Sequence, residues 1–336
     1  MMLGTLVKSV SSLQPGYSLR ALNSKRRLVQ QMLIHRHDLG RFMQRMQAAL
    51  GPDCWQRLGM DGIGVVQWPY ISRGWAARRR LEAVAAHFEV VAGQFPYLLV
   101  EGRDQSIVLY DLSAHSAGCS LVLDRPVWFK REGELVLNLF QGDLRVASLA
   151  FTLSRSEGPL VMFVGAVQGI HKGIDSDTSL AIYRDLTKDF EGLRPRSLLL
   201  EALKCLARCL GVAEINAVSD AYRHHRHAYF GHDEGKPLAA DYDVIWQESG
   251  GMASHREGFF AIPLLAAQRA EADIPAKKRA MYRRRQALLL EVFAGLQAAL
   301  AGAGGNHELQ GRQGDACVER VSAVGRPPVI DSQEQG

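Results

Sequence analysis

The chain has 336 residues, a formal net charge of +5 and a pI near 9.0, and 47 % of it is hydrophobic; a wholly disordered polymer is excluded and about two domains' worth of core is expected. So mild a charge favours anionic ligands or surfaces without demanding nucleic acid. Cys54, Cys119, Cys205, Cys209 and Cys317 are odd in number and scattered with no CxxC pair, which excludes a disulfide framework and predicts a reducing, cytoplasmic setting.

From the N-terminus, the segment 1–20 has no uninterrupted apolar run of signal-peptide type, and no stretch reaches the ~18 apolar residues of a membrane span. Leu22–Leu50 and Ala76–Val91 alternate apolar and basic residues at helical spacing. After Phe95 the period becomes strand-like, with candidate strands in "YLLVEG", "SIVLYDL", "CSLVLD", "VWFKRE", "ELVLNLFQGDLRVASLAFTL" and "LVMFVGAVQG", several at hairpin spacing. Two helices follow, "DTSLAIYRDLTKDF" and "PRSLLLEALKCLARCLG", then the strand "AEINAVSD". Strands are expected in "YDVIWQESGG" and "GFFAIPLL", and a long helix from Pro275 to about Leu300. The expected fold is α+β: a mixed, largely antiparallel sheet flanked by helices, with one helix-linked crossover. A variable helical region over 1–72, an α+β domain over 73–300 and a disordered Gly-rich tail over 301–336 complete the division.

Four segments carry chemistry. "YRHHRHAYFGH", Tyr222–His232, holds four of the eleven histidines and two arginines immediately after a buried-type strand. Interleaved Arg223 and Arg226, and the i,i+3 spacing of His224 and His227, oppose a metal. A solvated basic turn and a proton-transfer centre remain, and on the second reading His225 and Tyr229 are the catalytic candidates. The helix opened by Pro195 has Arg194 and Arg196 at its N-terminus, where the helix dipole disfavours cations. A bound phosphate would reverse that penalty; the alternative is that both arginines point into water or pair with Asp189 and Glu191. With Ser197 in the first turn and Gln168 at the end of the earlier strand, these residues make a candidate site for an anionic donor. "VGAVQG" sets two glycines in or beside a strand, for a bulge, close packing or an approaching ligand. Lys277–Arg285 has six basic residues in nine positions, and Lys277, Lys278, Arg283 and Arg284 are candidates for contact with anionic lipid or, less favourably, RNA, against the alternative of a solvated face. GxxxxGK[ST], GxSxG and HExxH are absent from the sequence.

The pieces "GLRP", "AVS", "YDxxW", "GFF" and "KKRAMYRRR" together resemble the VirK/YbjX family of bacterial proteins, in a match that covers about Arg73 to Leu290, is strongest after Leu160 and leaves out the first ~70 residues and the tail. That resemblance implies a role in envelope properties and virulence and no agreed reaction. The element order is also similar to GNAT acyltransferases, with Leu160–Gln168, Leu193–Gly211 and Glu214–Ser219 as the first strand, the pyrophosphate-binding helix and the splayed second strand. The likeness implies an acyl-coenzyme A donor, although "FEGLRPRS" has one glycine and a proline where the acyltransferase turn is Gly-rich. The rival expectations are a non-enzymatic factor docked on anionic lipid at the inner membrane surface or on a partner protein, and an RNA-binding regulator.

Overall fold

The computed structural model describes residues 9–58, 61–99, 106–125, 129–155, 158–171, 173–230, 240–265 and 274–310. Eight strands form one sheet: β1 (Ser106–Asp111), β2 (Cys119–Asp124), β3 (Leu135–Gln141), β4 (Leu144–Ser154), β5 (Val161–Gln168), β6 (Glu214–Val218), β7 (Met252–Ala253) and β8 (Phe259–Ile262). Their spatial order is β1-β2-β3-β4-β5-β6-β8-β7, and every neighbouring pair is antiparallel except β5 and β6. A short turn joins β3 to β4 and few residues separate β4 from β5, whereas parallel β5 and β6 need a long crossover. Two helices supply it, α4 (Ser176–Asp189) and α5 (Pro195–Cys209). This is the mixed, largely antiparallel α+β sheet expected from the hydrophobic periods.

The other helices are α1 (Leu19–Ile34), α2 (Arg36–Leu58), α3 (Ala77–Gln94), α6 (Tyr242–Glu248) and α7 (Ala276–Gln310). Strand β4 is buried at every position from Val146 to Ser154, because α3 and α5 both pack against it. A strand covered on both faces reads as a continuous apolar run, as "VASLAFTL" does. In α5, Leu199, Ala202, Leu203, Leu206 and Leu210 are buried together with Cys205. Helix α2 breaks at Gly51–Pro52 and is tied to α3 by the two-pronged Arg45–Glu89 pair, each contact 2.6 Å.

Three expected strands fold otherwise. In "YLLVEG", Pro96–Leu98 forms a 3-10 turn, since Pro at its first position fixes a helical φ; Val100–Gly102 lie outside the described residues. In "VWFKRE", Phe129–Glu132 is a turn, closed by a Glu132 N–H to Phe129 carbonyl bond of 2.8 Å. "YDVIWQESGG" is mostly helix α6: Asp241 caps it, its carboxylate accepting from the N–H groups of Asp243 and Val244 at 3.0 and 3.3 Å. Only Met252–Ala253, just beyond, is strand. The last helix runs through Gln310, and 311–336 lie outside the described residues.

Candidate functional site

Strands β5 and β6 pair only from Val161 to Val164, opposite Glu214 to Ala217. Beyond that, β5 continues to Gln168 while β6 ends at Val218 and turns away. Parting strands leave backbone groups that must find partners if buried. Helix α6 supplies them: the Tyr242 hydroxyl accepts from Val167 N–H at 3.0 Å, and the Trp246 indole donates to the Val218 carbonyl at 2.8 Å. Asp243 accepts from Asp220 N–H at 2.7 Å. The YDxxW motif is thus a plug, one helical turn long, at the carboxyl ends of the parallel pair.

Beside the plug a β-bulge sets the acid in position. Ala150 pairs with Ala166 and Phe151 with Val164, leaving Gly165 as the extra residue of β5. The Glu132 carbonyl presses against Gly165 where any Cβ would collide with it, so the glycine serves close packing. From there the Glu132 side chain enters the protein. Its Oε1 lies 3.6 Å from Nδ1 of His224 and 4.0 Å from Nδ1 of His225, and Gln168 Nε2 donates to its Oε2 at 3.4 Å. The two imidazole rings are 3.7 Å apart, centre to centre. Glu132 and His224 are buried and His225 is half-exposed. Neither Glu132 Oε1 nor His224 Nδ1 has a hydrogen-bond partner among the described residues.

Burial pushes the Glu132 carboxyl up to about 8, against the pull of Arg223 and Arg131. Burial also holds His224 well below its ordinary value and His225 down to about 4, helped by the same guanidinium groups. At neutral pH the cluster is therefore a protonated acid facing two neutral imidazoles. Arg223 lies 3.7 Å over the Tyr242 ring and reaches Asp220 Oδ1 and the Ala240 carbonyl at 3.2 and 3.1 Å. Arg226 meets Asp220 Oδ2 at 2.7 Å. Arg131 stands over the rings of Trp68, Phe230 and Tyr229, 5.0–5.3 Å from each. Both walls are tied to one segment: Ile71 N–H donates to the Arg131 carbonyl at 2.7 Å, and Ser72 bridges to Arg223. Ile71 is fully buried with φ of 57°, a strained conformation for a β-branched residue, directly against the site.

Glu132, His224 and His225 present donor atoms within 4.8 Å of one another, a spacing that could hold a metal ion. The spacing of His224 and His227 opposes a metal, but the structure joins His224 to His225 and Glu132 instead. A dication here would displace the Glu132 proton and sit beside Arg131 and Arg223. The donor set therefore suits a proton better than a metal.

Of the residues singled out in the sequence, His225 and Gln168 meet at Glu132, and Tyr229 lies on the exposed rim with Phe230. The segment Asp220–Phe230 is a chain of 3-10 turns, so Tyr222, His225 and Tyr229 share no single helical face; His232 lies outside the described residues. Arg194, Arg196 and Ser197 do open α5, and Arg196 pairs with Glu248 at 3.5 Å. No hydrogen bond or ion pair among the described residues joins them to the histidine segment. Asp189 and Glu191 are engaged elsewhere, by Ser116 at 2.8 Å and by Arg284 at 2.9 Å. Arg285 also donates to the Glu191 carbonyl at 3.1 Å, so Arg284 and Arg285 together hold Glu191 at the entrance to the "GLRP" turn, while Lys277, Lys278 and Arg283 are exposed. Glu132 and Arg131 carry no local signal beyond a place at the end of the expected strand "VWFKRE", whereas Arg223 lies in the histidine segment and Tyr242 in YDxxW, both already singled out.

Fold and site define an α+β protein with a buried carboxyl–imidazole cluster at the open end of its parallel strand pair. The chain belongs to the VirK/YbjX family, described as "Protein of unknown function (DUF535)", whose model matches residues 18–298. It is similar to "Uncharacterized protein YbjX" of Escherichia coli K12, 29 % identical over 228 residues and 66 % of each chain. Two uncharacterized proteins of Haemophilus influenzae are 30 % and 27 % identical over 158 and 170 residues, or 47 % and 49 % of this chain and 49 % and 53 % of theirs. The matches thus span between half and two thirds of these relatives' lengths. The family match begins ahead of Arg73, the expected start of the resemblance, and takes in α1 and α2. No solved structure matches.

Proposed function

We propose that the Glu132–His224–His225 cluster is the proton-transfer centre of an enzyme that moves an acyl group from an anionic donor, in the service of the bacterial envelope. The observation that carries this reading is a carboxyl pushed up to about 8, 3.6 and 4.0 Å from two neutral imidazoles, at the carboxyl ends of the parallel strands. Neutral His225 is a base at physiological pH, and of the two rings it is the one that solvent reaches. It would take the proton as an acceptor O–H or N–H attacks the acyl carbonyl. The new bond forms to the acyl carbon, the thioester C–S bond breaks, and the proton passes on to the leaving thiolate. Arg131 and Arg223 favour the donor's phosphates and the charge that develops on the carbonyl oxygen.

Support for the acyl-transfer class comes from the order β5, α5, β6, which follows the GNAT arrangement of strand, helix and splayed parallel strand. Two departures shape the reading. Helix α4 intervenes before α5, and Tyr242 with Trp246 fills the splay, so a donor would approach from the His225–Tyr229 rim instead of threading between the strands. The test is thiol release from a panel of acyl-coenzyme A esters, alongside thermal shifts with the same esters. Release that falls at least about tenfold in His225→Gln and Glu132→Gln, with melting intact, is expected. Turnover unchanged in both variants, or no shift with any ester, overturns the assignment.

A further inference from the structure

Helix α1 offers a surface that the site does not use. Leu19, Leu22, Val29 and Leu33 are 41–88 % exposed, and at 3.6 residues per turn they fall within about 80° of arc on the helix. The opposite edge, Leu28 and Met32, is buried in the core. Tyr17 just before the helix and Ile34 at its end are also exposed, so the stripe runs its full length. Apart from Tyr229 and Phe230 on the site's rim, the other large exposed apolar side chains among the described residues stand singly on separate segments.

Charge identifies what such a stripe meets. From residue 9 to residue 37 the sequence has Arg20, Lys25, Arg26, Arg27 and Arg36 and no acidic residue; the first acid is Asp38, which is bound to Arg41 at 2.6 Å. With a net charge of +5 for the whole chain, this short region accounts for all of the excess. Arg26 lies within the stripe and Arg20 and Arg27 beside it, all three exposed. Arginine stems can lie along apolar surface while their heads turn to phosphate, an arrangement suited to a helix lying in the headgroup region. No helix of the described residues is long and apolar enough to cross a membrane. We infer that α1 is an in-plane anchor for an anionic phospholipid bilayer, its leucine stripe entering the acyl boundary and its arginines engaging lipid phosphates. Arg284 and Arg285 are engaged at Glu191, which leaves the Lys277–Arg285 run less charge to offer.

The experiment is co-sedimentation of the full chain with vesicles of phosphatidylcholine alone or mixed equally with phosphatidylglycerol. Binding to the mixed vesicles only, weakened by about tenfold or more in high salt, is the expected result. Leu19→Ser/Leu22→Ser/Val29→Ser/Leu33→Ser should abolish it while a cooperative melting transition remains, since all four side chains are exposed. Charge reversal of Lys277, Lys278 and Arg283 should leave it intact. Equal binding to both vesicle types, retention by the four-serine variant, or loss on the reversal at α7 each overturns the proposal. So does a concentration-dependent dimer that the serines dissolve without any vesicle binding, which would give the stripe to a second copy. Acyl transfer is measured separately on soluble esters, so neither proposal stands or falls with the other.

Discussion

At pH 7 the carboxyl of Glu132 keeps its proton, because burial costs more than Arg131 and Arg223 return. Its folded value of about 8 lies above the ordinary 4.5, so between these limits the unfolded chain releases a proton that the folded chain holds. Stability therefore falls as pH rises through that window and levels off above it, by on the order of a few kcal/mol at ~1.4 kcal/mol per pH unit. Glu132→Gln removes the titration. The difference in unfolding free energy between variant and wild type should be near zero at acid pH and grow toward alkaline pH, with other titrating groups cancelling; a flat difference refutes the assignment. The histidines of this cluster were legible, since four in eleven residues draw attention wherever they lie. Their acid was not. It enters from a turn far away in sequence, and only the Gly165 bulge directs it there.

Among the elements, α6 shows how a motif can be noticed and its shape missed. Tyr242, Ile245 and Trp246 recur at helical spacing behind a capping Asp241, yet the aromatic and β-branched content reads as strand. The helix wins because its two aromatics satisfy backbone groups of both parting strands. Gly165→Ala should test the neighbouring close approach: its Cβ meets the Glu132 backbone, and a loss of about 1–3 kcal/mol in denaturant unfolding is expected. An unchanged midpoint would mean that the turn relaxes freely. At α5, Arg196→Glu faces Glu248 in a partly exposed pair, so the change in unfolding free energy should stay within about 1 kcal/mol. A larger loss would give that helix start a structural weight its contacts do not suggest.

For the whole molecule, the antiparallel run and its single helix-linked crossover were legible because hairpin spacing and burial periods are local properties. The standing of the first 72 residues was not, because it depends on packing between distant segments. Leu28, Phe42, Met46 and Trp55 share one core with α3 and the sheet, so deletion of 1–72 should abolish cooperative unfolding instead of trimming an appendage. A soluble fragment with a sharp thermal transition would contradict this. The docking of α6 has a further consequence, one of timing. The Val167 amide is shielded by a phenol on a short helix, while earlier β5 residues, Val161–Val164, lie in the pairing with β6. In deuterated water, uptake at Val167 should lead uptake across Val161–Val164, and Tyr242→Phe should quicken it at Val167 alone, at a stability cost of about 1–3 kcal/mol for the orphaned donor. One strand would then keep two clocks, and anything that steadies the short helix carrying Tyr242 would slow the faster.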